Sequence, residues 1–303
     1  MIQATEYELL HDSAGLVDRS SRGKLILRGG EAAEFLQGQV TNDVEGLAPG
    51  TGCYALLLSH KGKVRADMRV LRGPDWIWID TPRGALPVLD HMIRTYGIGR
   101  DLRLEDVSDE RAILSLVGPG ARAAAGVDVP AEEHSFTEVD GALYVATDLG
   151  VDLIARRGAV DPPAEPVSEE AAECLRVEAG RPRFGIDFDS DTIPQEAGLN
   201  ERAVSFTKGC YVGQETVARL HYKGKPNRHL RGLRLSAPAA RGAELRLGEK
   251  VVGALGSVAD SPEHGPIALA LVRREAEPGA TVEVGGGAAT AQVVELPFRR
   301  NHE

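Results

Sequence analysis

Lys208-Gly209-Cys210-Tyr211-Val212-Gly213-Gln214-Glu215 sets a cysteine between two glycines and just after a lysine. A thiolate, not a thiol, is the nucleophile and the metal ligand, and neighbouring positive charge lowers a cysteine's pKa. The flanks carry such charge. Between Arg202 and Arg234, eight arginines and lysines face one acid, Glu215, whereas Asp161 to Glu201 holds eleven acids against Arg176, Arg181 and Arg183. The glycines permit positive φ or the close approach of a ligand, neither of which an ordinary core cysteine requires. The competing reading of Cys210 is a small buried hydrophobe, the common fate of a free cysteine. On these residues alone both readings stand.

Outward from that octet, 303 residues are enough for two domains, each able to bury its own core. A hydrophobic share of 42% and a charged share of 26% describe an ordinary globular chain rather than a disordered one. The net charge of −10 argues against nucleic acid held by general attraction to phosphate, although the basic block around Cys210 could hold an anion locally. Cys53, Cys174 and Cys210 form no C-x-x-C pair, so neither a disulfide framework nor a closed zinc site is written here, and a reducing cytoplasm is the expected location. Met1 to Ser20 lacks a basic start and apolar run, and no apolar stretch approaches the roughly 20 residues that cross a bilayer. Neither export nor a membrane partner is expected.

Short β-branched and aromatic runs predict strands at Lys24–Arg28, Cys53–Ser59, Val64–Leu71, Trp76–Asp80, Ala112–Val117 and Leu143–Ala146. Ser59-His60-Lys61-Gly62-Lys63 reads as a hairpin loop. Between the strands, Arg83 to Tyr96 repeats Leu86, Leu89, Met92, Ile93 and Tyr96 at helical spacing, a stripe that predicts core contact. A second helix is predicted from Ser168, a good N-cap, to Gly180, a good C′ residue. The prolines of Asp161 to Pro166 require an extended connector before it, and Arg181 to Phe206 reads as a long ordered loop. From Arg228 onward short alternating runs separated by glycine turns predict a small all-β barrel or sandwich: Leu230–Leu235, Glu244–Leu247, Val251–Val258, Ile267–Val272, Thr281–Val284 and Ala291–Leu296. The expected division is residues 1–228 and 229–303.

Gly118-Pro119-Gly120-Ala121-Arg122-Ala123 superficially matches a dinucleotide-binding turn, but Pro119 removes a donor, and an ordinary strand-to-helix turn explains the run. Walker, H-E-x-x-H and G-x-S-x-G motifs do not occur. Glu178, at the end of the second helix, faces the negative end of the helix dipole. It reads either as an exposed acid paired with Arg176 or Arg181, or as a carboxylate held for a ligand rich in N–H donors. Thr41-Asn42-Asp43 reads as a capped turn. Period two puts Arg65, Asp67 and Arg69 on one face of their strand, which reads as a solvated face with local ion pairs.

Together, Phe35 to Val44, His60 to Val64, Arg176 to Gly180, the Cys210 octet and Val217-Ala218-Arg219 resemble the YgfZ family of folate-binding proteins. That family is related to the glycine-cleavage aminomethyltransferase and to mitochondrial iron–sulfur maturation factors, and the likeness covers most of Leu25 to Arg234. The resemblance implies an α+β fold of two intertwined ferredoxin-like lobes around a central tetrahydrofolate hole, followed by a C-terminal β-barrel. It implies that Glu178 contacts the pterin, that Asp67, Asn42 and Arg219 belong to the folate site, and that Cys210 is the working thiol. The implied role is folate-dependent support of iron–sulfur cluster assembly or repair, and thereby of tRNA modification, with iron–sulfur client or assembly proteins as partners. The alternatives are an aminomethyltransferase of one-carbon metabolism or a folate-binding module without chemistry. Aminomethyltransferases carry adjacent acids where this chain has Ala66-Asp67, and an aspartate where it has Cys210.

Overall fold

The computed structural model describes residues 4–162, 164–287 and 289–299. The chain divides into two compact units. One runs from Glu8 to Val167 and adds Asn200–Ala218; the other takes the residues up to Tyr7, Ser168–Leu199 and those from Arg219 onward.

The first unit contains two sheets. A five-stranded antiparallel sheet has the order Thr51–Leu58, Val64–Arg72, Trp76–Thr81, Gly23–Arg28, Arg103–Asp106. A six-stranded sheet has the order Glu165–Pro166, Gly15–Asp18, Arg111–Val117, Gly150–Arg156, Ala142–Thr147, Phe136–Val139. Ile26, Leu71 and Trp78 of the five-stranded sheet share one apolar cluster with Ile113, Leu143, Val145 and Ile154 of the six-stranded one. The helix Leu86–Tyr96 buries Leu86, Leu89, Met92 and Ile93, as its spacing predicts. Those four side chains contribute roughly 6–12 kcal/mol of gross apolar burial. Tyr96, expected in the same stripe, is 59% exposed, because it is the last residue before the helix stops at Gly97.

A polar network also joins the sheets. Arg69 donates to Asp80 Oδ2 at 2.7 Å and to Asp152 Oδ2 at 2.6 Å, while Arg22 reaches Asp80 Oδ1 at 2.8 Å and Ser115 reaches Asp152 Oδ1 at 2.6 Å. Asp67 and Arg69 are therefore not on a solvated face, as their alternation suggests; they are 7% and 6% exposed. The second sheet covers them, and Asp152 replaces water as the partner of Arg69. Burial drives the Asp80 carboxyl upward, but Arg69 and Arg22 hold it down at about 2.

The second unit contains a closed six-stranded barrel in the order Arg228–Leu235, Gly265–Arg273, Lys250–Ser261, Glu244–Leu247, Thr281–Val284, Ala289–Val294. Every strand predicted after Arg228 is present. Closure leaves no unpaired sheet edge, and inward residues such as Leu233, Leu245, Val252, Ala268, Val282 and Val293 fill the interior. The helix Glu169–Glu178 starts where Ser168 Oγ accepts from the Ala171 N–H at 3.2 Å, and its Val177 packs with Leu230, Ile267, Leu269 and Phe298. The architecture is thus mixed α+β with a C-terminal barrel.

Candidate functional site

Asp67 lies in the middle of the strand Val64–Arg72. Its Oδ2 accepts from the Tyr54 hydroxyl at 2.7 Å, whereas the buried Oδ1 has no hydrogen-bond partner among the described residues. Burial raises the Asp67 pKa against the opposing pull of Arg22. It likewise raises that of Tyr54, and the neighbouring Asp67 adds to the shift. Asn42 enters the same cluster from its turn: its Nδ2 donates to the Tyr54 carbonyl at 2.9 Å and to the Arg202 carbonyl at 3.3 Å. The Arg202 guanidinium lies 5.6 Å from the Tyr54 ring centroid and pairs with Glu133. Two residues singled out by sequence, Asn42 and Asp67, therefore meet through one that was not, Tyr54. His134 is a second residue missed. It is partly buried at φ 69, its buried Nδ1 has no hydrogen-bond partner among the described residues, and desolvation reinforced by Arg69 and Arg202 holds its pKa at about 3.

Cys210 is exposed, which removes the buried-hydrophobe reading, while Cys53 and Cys174 are buried. Lys208 turns its ammonium onto the backbone. Its Nζ donates to the carbonyls of Gln37 at 2.7 Å, Val40 at 2.8 Å and Asn42 at 2.7 Å, so all three ammonium hydrogens bind backbone. Burial lowers its pKa to about 8. The two glycines also differ. Gly213 adopts φ 83, and a Cβ there would lie 2.5 Å from the Ser59 carbonyl oxygen, because the octet packs on the His60-Lys61-Gly62 hairpin. Gly209 has no positive φ, and a Cβ there would meet nothing within 4 Å. After Gly213 the chain forms the helix Gln214–Lys223, and Arg219 is exposed on it.

Glu178 is 9% exposed and is not the surface ion pair that its position at a helix end allows. Its Oε1 accepts from Tyr7 Oη at 2.8 Å, Ser261 Oγ at 2.5 Å and Cys174 Sγ at 3.4 Å. Burial, followed by the bond to Glu178, pushes the Tyr7 phenol well up, and burial does the same to the Cys174 thiol. Tyr7 and Ser261 carry no motif, so only the fold reveals them as the partners of Glu178. The Gly118-Pro119-Gly120 turn is structural: the Gly120 N–H donates to Ser13 O at 2.7 Å, and the helix that follows, Ala121–Ala125, has five residues.

Comparison with known proteins accounts for this architecture. The GCVT N-terminal domain matches residues 1–145, and the glycine cleavage T-protein C-terminal barrel domain matches residues 228–299. The aminomethyltransferase of Symbiobacterium thermophilum is 31% identical, with 98% of this chain and 89% of that protein covered. The probable aminomethyltransferase of Natronomonas pharaonis is 30% identical, with 97% and 90% covered.

The chain belongs to the aminomethyltransferase family.

A crystal structure of the glycine cleavage system aminomethyltransferase T from Bartonella henselae has the same fold, with a TM-score of 0.87 over 98% of this chain and 90% of that one, at 23% identity. Within the aminomethyltransferase family, then, this chain combines a buried Asp67, a buried Glu178 and an exposed thiol at Cys210. Among the described residues no cluster of three or more His, Cys, Asp or Glu side chains could hold a metal ion, and no helix is long and apolar enough to cross a membrane.

Proposed function

We propose that this member of the aminomethyltransferase family binds tetrahydrofolate and takes part in one-carbon chemistry of the aminomethyl-transfer class. One observation carries the reading: Asp67 is buried with Tyr54 on one oxygen and, among the described residues, no hydrogen-bond partner on the other. A buried acceptor without a partner costs about 1–3 kcal/mol, a penalty that a ligand N–H can remove. A reduced pterin carries such donors. Asp67 would hold or exchange a proton at Oδ1, Asn42 would fix Tyr54 behind it, Glu178 would accept from the pterin edge, and Arg219 would meet the anionic glutamate tail. Bound tetrahydrofolate would supply the nitrogens that carry the one-carbon unit.

The exposed Cys210 favours a second reading, that of the YgfZ family: folate-dependent support of iron–sulfur assembly or repair, and through it tRNA modification, in the cytoplasm. A soft sulfur nucleophile and metal ligand then stands where an aminomethyltransferase has a hard carboxylate. Because common clusters take four thiolates, one cysteine would share a cluster with an iron–sulfur client. In both readings residues 1–228 form the folate-binding region and residues 229–303 the barrel.

Two assays separate these readings. Turnover of a lipoyl-bound aminomethyl substrate by the purified protein, lost in Asp67→Asn, supports transfer. Restoration of iron–sulfur enzyme activity in cells lacking the native gene, by the wild type but not by Cys210→Ala, supports the second reading. A Cys210→Ala protein that rescues fully removes the thiol from the function.

A further inference from the structure

Lys208 is the one basic residue inside the octet, and among the described residues no carboxylate lies within ion-pair distance of it. A lysine needed only for charge does not have to bury its ammonium on backbone. Lys208 does so on three carbonyls that belong to the last turn of the helix Ala32–Gln39 and to the Asn42 turn. The same two stretches are joined elsewhere. Val212 N–H donates to Gly38 O at 3.3 Å, Ser205 N–H to Thr41 O at 3.0 Å, and Thr41 Oγ1 to Ala203 O at 2.5 Å. The Lys208 ammonium also lies 5.2 Å from the Tyr211 ring centroid.

From Asn42 the bonds continue inward: Lys208 Nζ to Asn42 O, Asn42 Nδ2 to Tyr54 O, and the Tyr54 hydroxyl to Asp67 Oδ2. We propose that Lys208 is a positioning residue that locks the segment carrying Cys210 to the Asn42–Tyr54–Asp67 chain, so that the exposed thiol and the buried acid are held as one rigid arrangement. The proposal deepens the folate reading and rests on it for its functional consequence. The lock requires a compact ammonium with three donors directed at three carbonyls. A planar guanidinium keeps the charge but cannot reproduce that geometry.

The test compares wild type, Lys208→Arg and Lys208→Met in the full chain by amide hydrogen exchange, with tetrahydrofolate affinity as the second measurement. Leu89→Ala, in the helix Leu86–Tyr96, serves as a destabilised control without a bond to the chain. Both Lys208 variants should exchange about tenfold or more faster over 205–213 and 37–43 while the barrel strands keep their protection. Both should also bind tetrahydrofolate about tenfold more weakly, whereas Leu89→Ala should bind within about twofold of wild type. Wild-type protection and affinity in Lys208→Arg would overturn the lock and return Lys208 to a role of charge alone. If Lys208→Met fails to fold, the arginine variant decides the question. If wild type does not bind tetrahydrofolate, the folate reading fails, while the exchange data still accept or reject the lock.

Discussion

Asp67→Asn should make the protein more stable at neutral pH. At 7% exposure Asp67 is largely removed from water, and its single bond from Tyr54 satisfies only Oδ2. Asparagine keeps an oxygen for Tyr54 and removes the buried charge. The unpaired acceptor costs about 1–3 kcal/mol, and the new NH₂ group forfeits part of the gain, so a net stabilisation of about 1 kcal/mol is expected. The sign follows from the raised Asp67 pKa. A carboxyl whose folded pKa exceeds its unfolded value binds its proton more tightly when folded. Its contribution is therefore most favourable below the unfolded value of about 3.9 and is lost as pH rises through the folded pKa. Urea midpoints of wild type and Asp67→Asn should thus differ at pH 7.5 and converge as pH falls toward 4. A variant less stable than wild type at pH 7.5, or a difference that grows on acidification, would refute the reasoning. Gained stability together with lost turnover would mark Asp67 as a residue kept for function.

Arg69→Met should destabilise the chain by about 3–5 kcal/mol, read as a fall in the urea midpoint, because it strips the buried Asp152 of its cation and leaves the buried Asp80 with Arg22 in place of two arginines. Asp80 sets an acid limit of the opposite sense to Asp67: its pKa is held at about 2, so its stabilisation is complete above the unfolded value and is lost as pH falls through about 2. Acid titration of Asp80→Asn should lack that part of the transition. Gly213→Ala should cost about 1–3 kcal/mol from its positive φ and its contact with Ser59, whereas Gly209→Ala should stay within about 0.5 kcal/mol of wild type. Thermal melts of the pair check both, and equal losses would contradict the distinction drawn between them.

Periodicity made most of the fold legible, since strands such as Val64–Arg72 and the barrel run from Arg228 carry a residue pattern with no competing explanation. It failed where polar residues are buried. The strand Gly150–Arg156 is interrupted by Asp152, and Arg65-Ala66-Asp67-Met68-Arg69 reads as half solvated; yet Asp152 and Arg69 are each other's partners. No local pattern reports that a charge is answered from another sheet. The helix Gln214–Lys223 was missed for a different reason, having only Val217 buried. Within the candidate site, residue chemistry pointed to Cys210 and left Glu178 open between two readings, whereas Asp67 and Asn42 were singled out by the family resemblance alone. Tyr54, Tyr7, Ser261 and the three carbonyls under Lys208 became visible only once segments far apart in sequence were adjacent in space.

The most direct test of the central claim is a calorimetric titration of the purified chain with tetrahydrofolate. The account predicts saturable binding at one site, weakened in Asp67→Asn and in Glu178→Ala, with a matching rise in melting temperature worth about 2.7 kcal/mol at a hundredfold excess over Kd. Neither heat nor a thermal shift at millimolar tetrahydrofolate would contradict it.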